Sequence, residues 1–261
     1  MLRRAALLLA LVLAGCVPSH VPDFASKPYE PFTREDAVAI ALREWRLFGS
    51  VTDATAQEAA TPAEKPEREP GLWQRVGEYW WIGIDAGSPE SRWTGKHDQK
   101  GAVFPAEDDG RYAWSAAFIS YVMRIAGAGD RFPYAANHAT YVNAAAAGKS
   151  PVLRAHAPDS YAPKPGDLLC RGRYAARALR FADLPTPYLW PGHCAIVVAT
   201  HPGSLDVIGG NVYDAVVMSS VPVTDAGTLA SPGGPVLDER DPWFVVLQVL
   251  YDADAEPARD Q

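Results

Sequence analysis

Three cysteines in 261 residues are too few for a disulfide framework, and six scattered histidines show no H-x-x-x-H or comparable ligand spacing. No metal and no cofactor is therefore expected. Positive charge is also short, with 24 basic against 31 acidic residues and a net charge of −7. A nucleic-acid partner is excluded on that ground, because such partners are met by a basic footprint. No apolar run reaches the roughly 20 residues needed to span a bilayer, and no internal repeat is visible. What is present is 48% apolar and 10% aromatic residues, enough for a core and against wholesale disorder. Twenty-three prolines and 21 glycines favour a loop-rich fold over a helical bundle. The length fits one domain with insertions.

Arg3 and Arg4 precede a short apolar stretch, Ala5 to Leu13, which reads as an export signal rather than a permanent span. It ends in Leu13-Ala14-Gly15-Cys16, which resembles a bacterial lipobox. That resemblance implies cleavage before Cys16 and lipidation of its thiol and new amino terminus, several acyl chains together giving stable anchoring. Val17 follows the cysteine, so the aspartate associated with inner-membrane retention is absent. The expected location is the periplasmic face of the outer membrane. From Cys16 onward there are 22 basic and 31 acidic residues, a net of −9, so anionic headgroups repel the body and the lipid alone must hold it. The expected organisation is a signal at 1–15, a tether at 16–30, one domain over 31–252 and an acidic tail at 253–261.

Within that domain, Thr33 begins a helix with Asp36 in a capping-box-like arrangement, and Ala37, Ile40, Ala41 and Trp45 form its apolar stripe up to Gly49. Residues 51–70 have almost nothing to bury and are expected to form a mobile insertion. GLWQRVGEYWWIG at 71–83 reads as a helix packed on the core. The strongest helical pattern is Trp114 to Ala126, with Ala117, Phe118, Tyr121, Val122 and Ile125 on one face. A further helix is expected over Asn137 to Ala147. Short apolar runs then follow at Leu168–Cys170, Cys194–Ala199, Leu205–Ile208, Val216–Met218 and Trp243–Leu250, bounded by Pro, Gly and Asp. These are expected to be strands of one antiparallel sheet, and helices followed by strands give the α+β class.

Three residues could carry chemistry together. Ser115 opens the strongest helix, His193 opens the strand GHCAIVV, and Asn211 ends DVIGGN. A nucleophile at a helix N-terminus, a histidine on a neighbouring strand and a polar group orienting it form a papain-like constellation, with first-turn N–H groups to hold an oxyanion. Each has a plainer reading. Serine is a favoured N-cap, histidine at a strand start is often a structural hydrogen-bonder, and asparagine after two glycines tolerates positive φ.

Four segments resemble the NlpC/P60 and CHAP cell-wall hydrolases. Trp114–Gly127 (WSAAFISYVMRIAG) is similar to their nucleophile helix, Pro163–Leu169 (PKPGDLL) to their strand entry, Gly192–Val198 (GHCAIVV) to their histidine strand, and Ile208–Asn211 (IGGN) to the segment with their third polar residue. More narrowly, residues 33–251 resemble the bacterial DUF2272 family. The resemblance implies a papain-like fold, with N-terminal helices on a small antiparallel sheet. It also implies that Cys170 and Cys194 sit on neighbouring strands and pair as a disulfide, against two buried thiols. Ser115 stands where that superfamily carries its catalytic cysteine. A hydroxyl is too weak an acid for a thiolate–imidazolium pair, so serine would need His193 to remove its proton as it attacks.

The expected function is hydrolysis of an amide bond in peptidoglycan, with Ser115, His193 and Asn211 catalytic and Trp114, His138 and Trp190 at the substrate. The other reading is a non-catalytic cell-wall-binding or scaffold lipoprotein with a degenerate site, and a transferase would show the same nucleophile and base. Arg171, Arg173, Arg177 and Arg180 could meet the carboxylates of stem peptides, or could form a solvated face.

Overall fold

The computed structural model describes residues 31–53, 65–85 and 87–252. The signal, the tether with Cys16 and the acidic tail lie outside the described residues. Helix α1 (Arg34–Leu47) starts as its sequence dictates, with Thr33 Oγ1 accepting from the Asp36 amide at 3.1 Å. It buries Ala37, Ile40 and Ala41, and also Glu44. That carboxylate is held by the Arg75 guanidinium and by the Tyr79 hydroxyl, which donates to it at 2.8 Å, so it ties α1 to helix α2 (Leu72–Gly83). Helix α3 (Ser115–Ile125) is buried on all sides from Ser115 to Met123 and packs on α1, α2 and the sheet. Helix α4 (His138–Ala146) is capped by Asn137, whose side-chain oxygen accepts from the Thr140 amide at 3.1 Å.

Six strands follow: β1 (Leu153–His156), β2 (Leu168–Gly172), β3 (Gly192–His201), β4 (Ser204–Val212), β5 (Ala215–Pro222) and β6 (Val245–Val249). They form one antiparallel sheet in the order β1-β6-β2-β3-β4-β5. The α+β class expected from the element order is the one observed. Residues from Phe32 onward make up a single unit. Among the described residues no helix is long and apolar enough to cross a membrane.

The sheet is covered on both faces. Cys170, Cys194, Ile196, Val198 and Ile208 pack towards the helices, while Leu169, Ala195, Val197, Val207 and Trp243 pack with Leu229 from the loop before β6. This is why β3 reads as an unbroken apolar run instead of alternating. Strand β1 went unread because LRAH alternates over only four residues and pairs at the sheet edge with β6.

The expected insertion at 51–70 is too wide. Thr52 bridges Met218, residues 66–68 form a 3-10 turn, Glu67 is 2% exposed, and its amide donates to the Asp214 carbonyl at 3.0 Å. Charge and proline content hid this, because the one glutamate that matters is buried as a polar anchor and adds nothing to an apolar pattern. Residues 54–64 lie outside the described residues.

Candidate functional site

Ser115 is the first residue of α3, and Trp114 occupies the cap position without a side-chain cap. The capping reading of Ser115 is therefore not realised. Its Oγ lies 2.7 Å from His138 Nε2, and His138 Nδ1 meets the Tyr141 hydroxyl. His138 and Tyr141 stand three residues apart on α4, so they are neighbours on one helix face and their side chains meet. The sequence carried this as H-x-x-Y at the start of α4, which only gains meaning once Ser115 is known to face it. The three side chains are buried, with Ser115 at 4% exposure and His138 at 2%.

A neutral imidazole carries one proton, so this chain of contacts has two arrangements. With Nδ1–H donating to Tyr141 Oη, Nε2 is free to accept from Ser115 and can serve as its base. With the phenol donating to Nδ1, Nε2–H donates to Ser115 and no base faces the hydroxyl. Burial, and then the charges of Arg173 and Arg171, push the His138 pKa down to about 3, so the ring is neutral in either case.

His193 is not the partner of Ser115. Its ring centroid is 5.7 Å from that of His138 at 67°, its Nδ1 has no hydrogen-bond partner, and its Nε2 edge faces Gly209. Burial holds its pKa well below the usual histidine value, with Arg173, Arg171 and His138 adding to the effect. His193 lines a cavity of about 340 Å³ together with Arg171, Arg173, Arg240, Asp53, Asp241, Tyr213 and Trp243. That cavity lies on the sheet face away from α3, alongside Ala195 and Val207.

Asn211 does not orient His193. It is the extra residue of a bulge between Gly210 and Val212, at φ 56°, and its amide donates to Glu67 Oε2 at 3.1 Å. The turn reading of its backbone is the one observed. The indole N–H of Trp114 donates to the same Glu67 oxygen. Burial foremost, then the negative charges of Asp214 and Asp109, push the Glu67 pKa up to about 8 despite the Trp114 hydrogen bond. These three carboxyls come within 4.8 Å of one another and could hold a cation. Lys65 already sits there, 2.7 Å from Asp109 and 3.4 Å from Asp214, with Arg68 2.8 Å from Asp109.

Neither tryptophan expected at the substrate is a free wall. Trp114 is 1% exposed and packs with Phe48 and Tyr79 at ring distances of 5.9 and 5.6 Å. Trp190 is 4% exposed, packs on Phe244 at 5.7 Å, and reaches a separate cavity of about 540 Å³ within the loop at 175–191. Cys170 and Cys194 face each other directly across β2 and β3 and are joined by a disulfide.

The fold and site define an α+β protein with a buried serine–histidine–tyrosine chain at a helix N-terminus and a guanidinium-lined cavity beyond it. The family model described as "Uncharacterized protein conserved in bacteria (DUF2272)" matches residues 67–249, more than half of the sequence. The chain belongs to the DUF2272 family. No curated protein matches it, and no solved structure does.

Proposed function

We propose that this protein is a lipid-anchored periplasmic hydrolase of amide bonds in peptidoglycan, papain-like in arrangement, with Ser115 as nucleophile and His138 as its base. The observation that carries the reading is the 2.7 Å contact between Ser115 Oγ and His138 Nε2 at the start of α3. A nucleophile within hydrogen-bond reach of a histidine that a third group orients is the signature of covalent catalysis. Ser115 Oγ attacks the carbonyl carbon as its proton passes to His138 Nε2. The oxyanion is met by first-turn N–H groups of α3, which have no partner within the helix. His138 then returns the proton to the leaving amine, and a water activated by the same ring releases the acyl group. Tyr141 is a positioning residue that holds Nδ1–H. It carries no charge to stabilise the imidazolium, so this base is weaker than one backed by aspartate.

One observation favours a second reading, a cell-wall-binding protein on a hydrolase-like frame. Ser115, His138 and Trp114 line neither the cavity that His193 borders nor the one beside Trp190. Digestion of purified sacculi followed by mass spectrometry of released fragments separates the two. Release by the parent, lost in Ser115→Ala and in His138→Ala, supports the hydrolase, and the fragment masses name the bond. No release by the parent, with sacculus binding intact, overturns it in favour of the binding protein.

A further inference from the structure

The cavity bordered by His193 holds more positive charge than it neutralises. Arg171 pairs with Asp241 at 2.9 Å, and Arg240 with Asp53 at 3.0 Å and Asp241 at 3.7 Å. Arg173, half-buried in the same wall, has no acidic partner among the described residues. Three guanidiniums and two carboxylates thus line the cavity, and behind its wall the charges of Arg177 and Asp238, one of each sign, also act on Arg171, so one positive charge remains in excess. Two further polar atoms are unmatched there, the Nε of Arg171 and the Nδ1 of His193, and His193 is 2% exposed. Buried polar atoms without partners are uncommon, and a cavity wall that collects two of them suits a ligand that supplies the missing partners. The remaining wall is apolar, from Ala195, Val207, Val212 and Trp243.

We propose that this cavity binds the free carboxylate of a short peptide, with Arg173 and Arg171 as its donors, His193 as a third polar contact, and the apolar wall against the adjoining side chain. One carboxylate neutralises the excess charge, and the planar guanidinium fork suits its two oxygens. At about 340 Å³ the space takes about two small residues, not a sugar chain. That the bearer is a cell-wall peptide rests on the proposed function; the preference for a carboxylate does not. Of the four arginines between 171 and 180, the structure brings only Arg171 and Arg173 to the cavity, while Arg177 bonds the carbonyls of Glu239 and Arg240.

Trp243 in the wall supplies a fluorescence reporter. The full chain in detergent is titrated with N-acetyl-D-alanyl-D-alanine, with its C-terminal carboxamide and with inorganic phosphate, each also against Arg173→Gln and Ser115→Ala. The acid should bind at least tenfold more tightly than the carboxamide, the difference should vanish in Arg173→Gln, and Ser115→Ala should keep it. Equal binding of acid and carboxamide, no binding by either at millimolar concentration, or an acid preference unchanged by Arg173→Gln overturns the proposal. Phosphate binding as tightly as the acid also overturns it, since the site is then a general anion site. If sacculi are not digested but the acid preference stands, the hydrolase reading fails alone. If sacculi are digested and no preference is seen, the cavity assignment fails alone.

Discussion

Ser115 and His138 are joined by a 2.7 Å hydrogen bond across the N-termini of two helices, while His193 stands beyond His138 and faces a cavity. The arrangement divides between two histidines what the sequence assigned to one. His138 is the group that can take the Ser115 proton, and His193 is the group that a ligand in the cavity can touch. A kinetic consequence follows from the environment of His138. Because burial keeps this ring neutral down to about pH 3, kcat/KM for fragment release should show no break near 6.5, where an ordinary histidine base would lose activity. A profile that falls below pH 6.5, and that His193→Gln leaves in place, would point back to a base of ordinary pKa.

Stability should fall on the acid side for the same reason. Unfolded, both histidines take up a proton near 6.5; folded, burial withholds it from His138 and His193. Below 6.5 the unfolded state binds more protons, so the native state loses up to about 1.4 kcal/mol per pH unit for each ring. Melting temperature should drop between pH 6.5 and 4, and His138→Gln should flatten that slope whatever it does to the absolute value.

Glu67 sets the opposite limb. Its carboxyl titrates near 4.5 when unfolded and about 8 when folded, so the native state binds more protons between those values and stability falls as pH rises through them. A carboxamide in its place can accept from Trp114 and Asn211 through one oxygen and donate to Asp109 as the protonated acid does. The Glu67→Gln protein should therefore melt higher than the parent at pH 8.5 and no higher at pH 4. Thermal unfolding at the two values decides it.

How far the sequence could be read depended on what each residue faced. Thr33 and Asn137 were legible as helix starts because a cap is a local interaction within four residues. Strands β2 to β6 were legible because a sheet buried on both faces leaves solid apolar runs, whereas the short edge strand β1 leaves none. The partner of Ser115 was not legible, since His138 lies on a different helix and only the tertiary fold, which seats α4 on β1 and β3, brings the two side chains together. Glu67 was hidden more deeply, as it sits next to a segment of alanine, glutamate and proline whose composition says nothing of a single buried carboxyl.

The Cys170–Cys194 disulfide closes a loop that contains both cavity arginines, Arg171 and Arg173, and ends beside His193. With a sequence separation of 24 between its ends, it should contribute on the order of 3 kcal/mol, chiefly by restricting the unfolded chain. Cys170→Ala with Cys194→Ala should shift the urea midpoint down by the amount that reducing the parent does. Two reactive thiols from this pair in unreduced, denatured parent would contradict the bond itself.

Two adjacent glycines of β4 make a matched pair, because a side chain at each meets a different neighbour. A Cβ on Gly210 would lie 2.6 Å from Phe118 Cβ and 2.8 Å from the Trp114 ring, both fixed in the core between sheet and α3. A Cβ on Gly209 would lie 2.7 Å from His193 Nε2, at the edge of a ring that borders open space. Gly210→Ala must push apart packed elements and should cost about 1–3 kcal/mol in urea unfolding. Gly209→Ala needs the imidazole to turn and the Val212 methyl, 3.2 Å away, to give slightly, so it should unfold within about 1 kcal/mol of the parent. Turning that ring disturbs the cavity wall, so carboxylate binding should weaken about tenfold in Gly209→Ala, about the cost of one charge-assisted hydrogen bond. Equal effects of the two substitutions on unfolding would mean that His193 is held as firmly as the core, and its place at the cavity would then be structural.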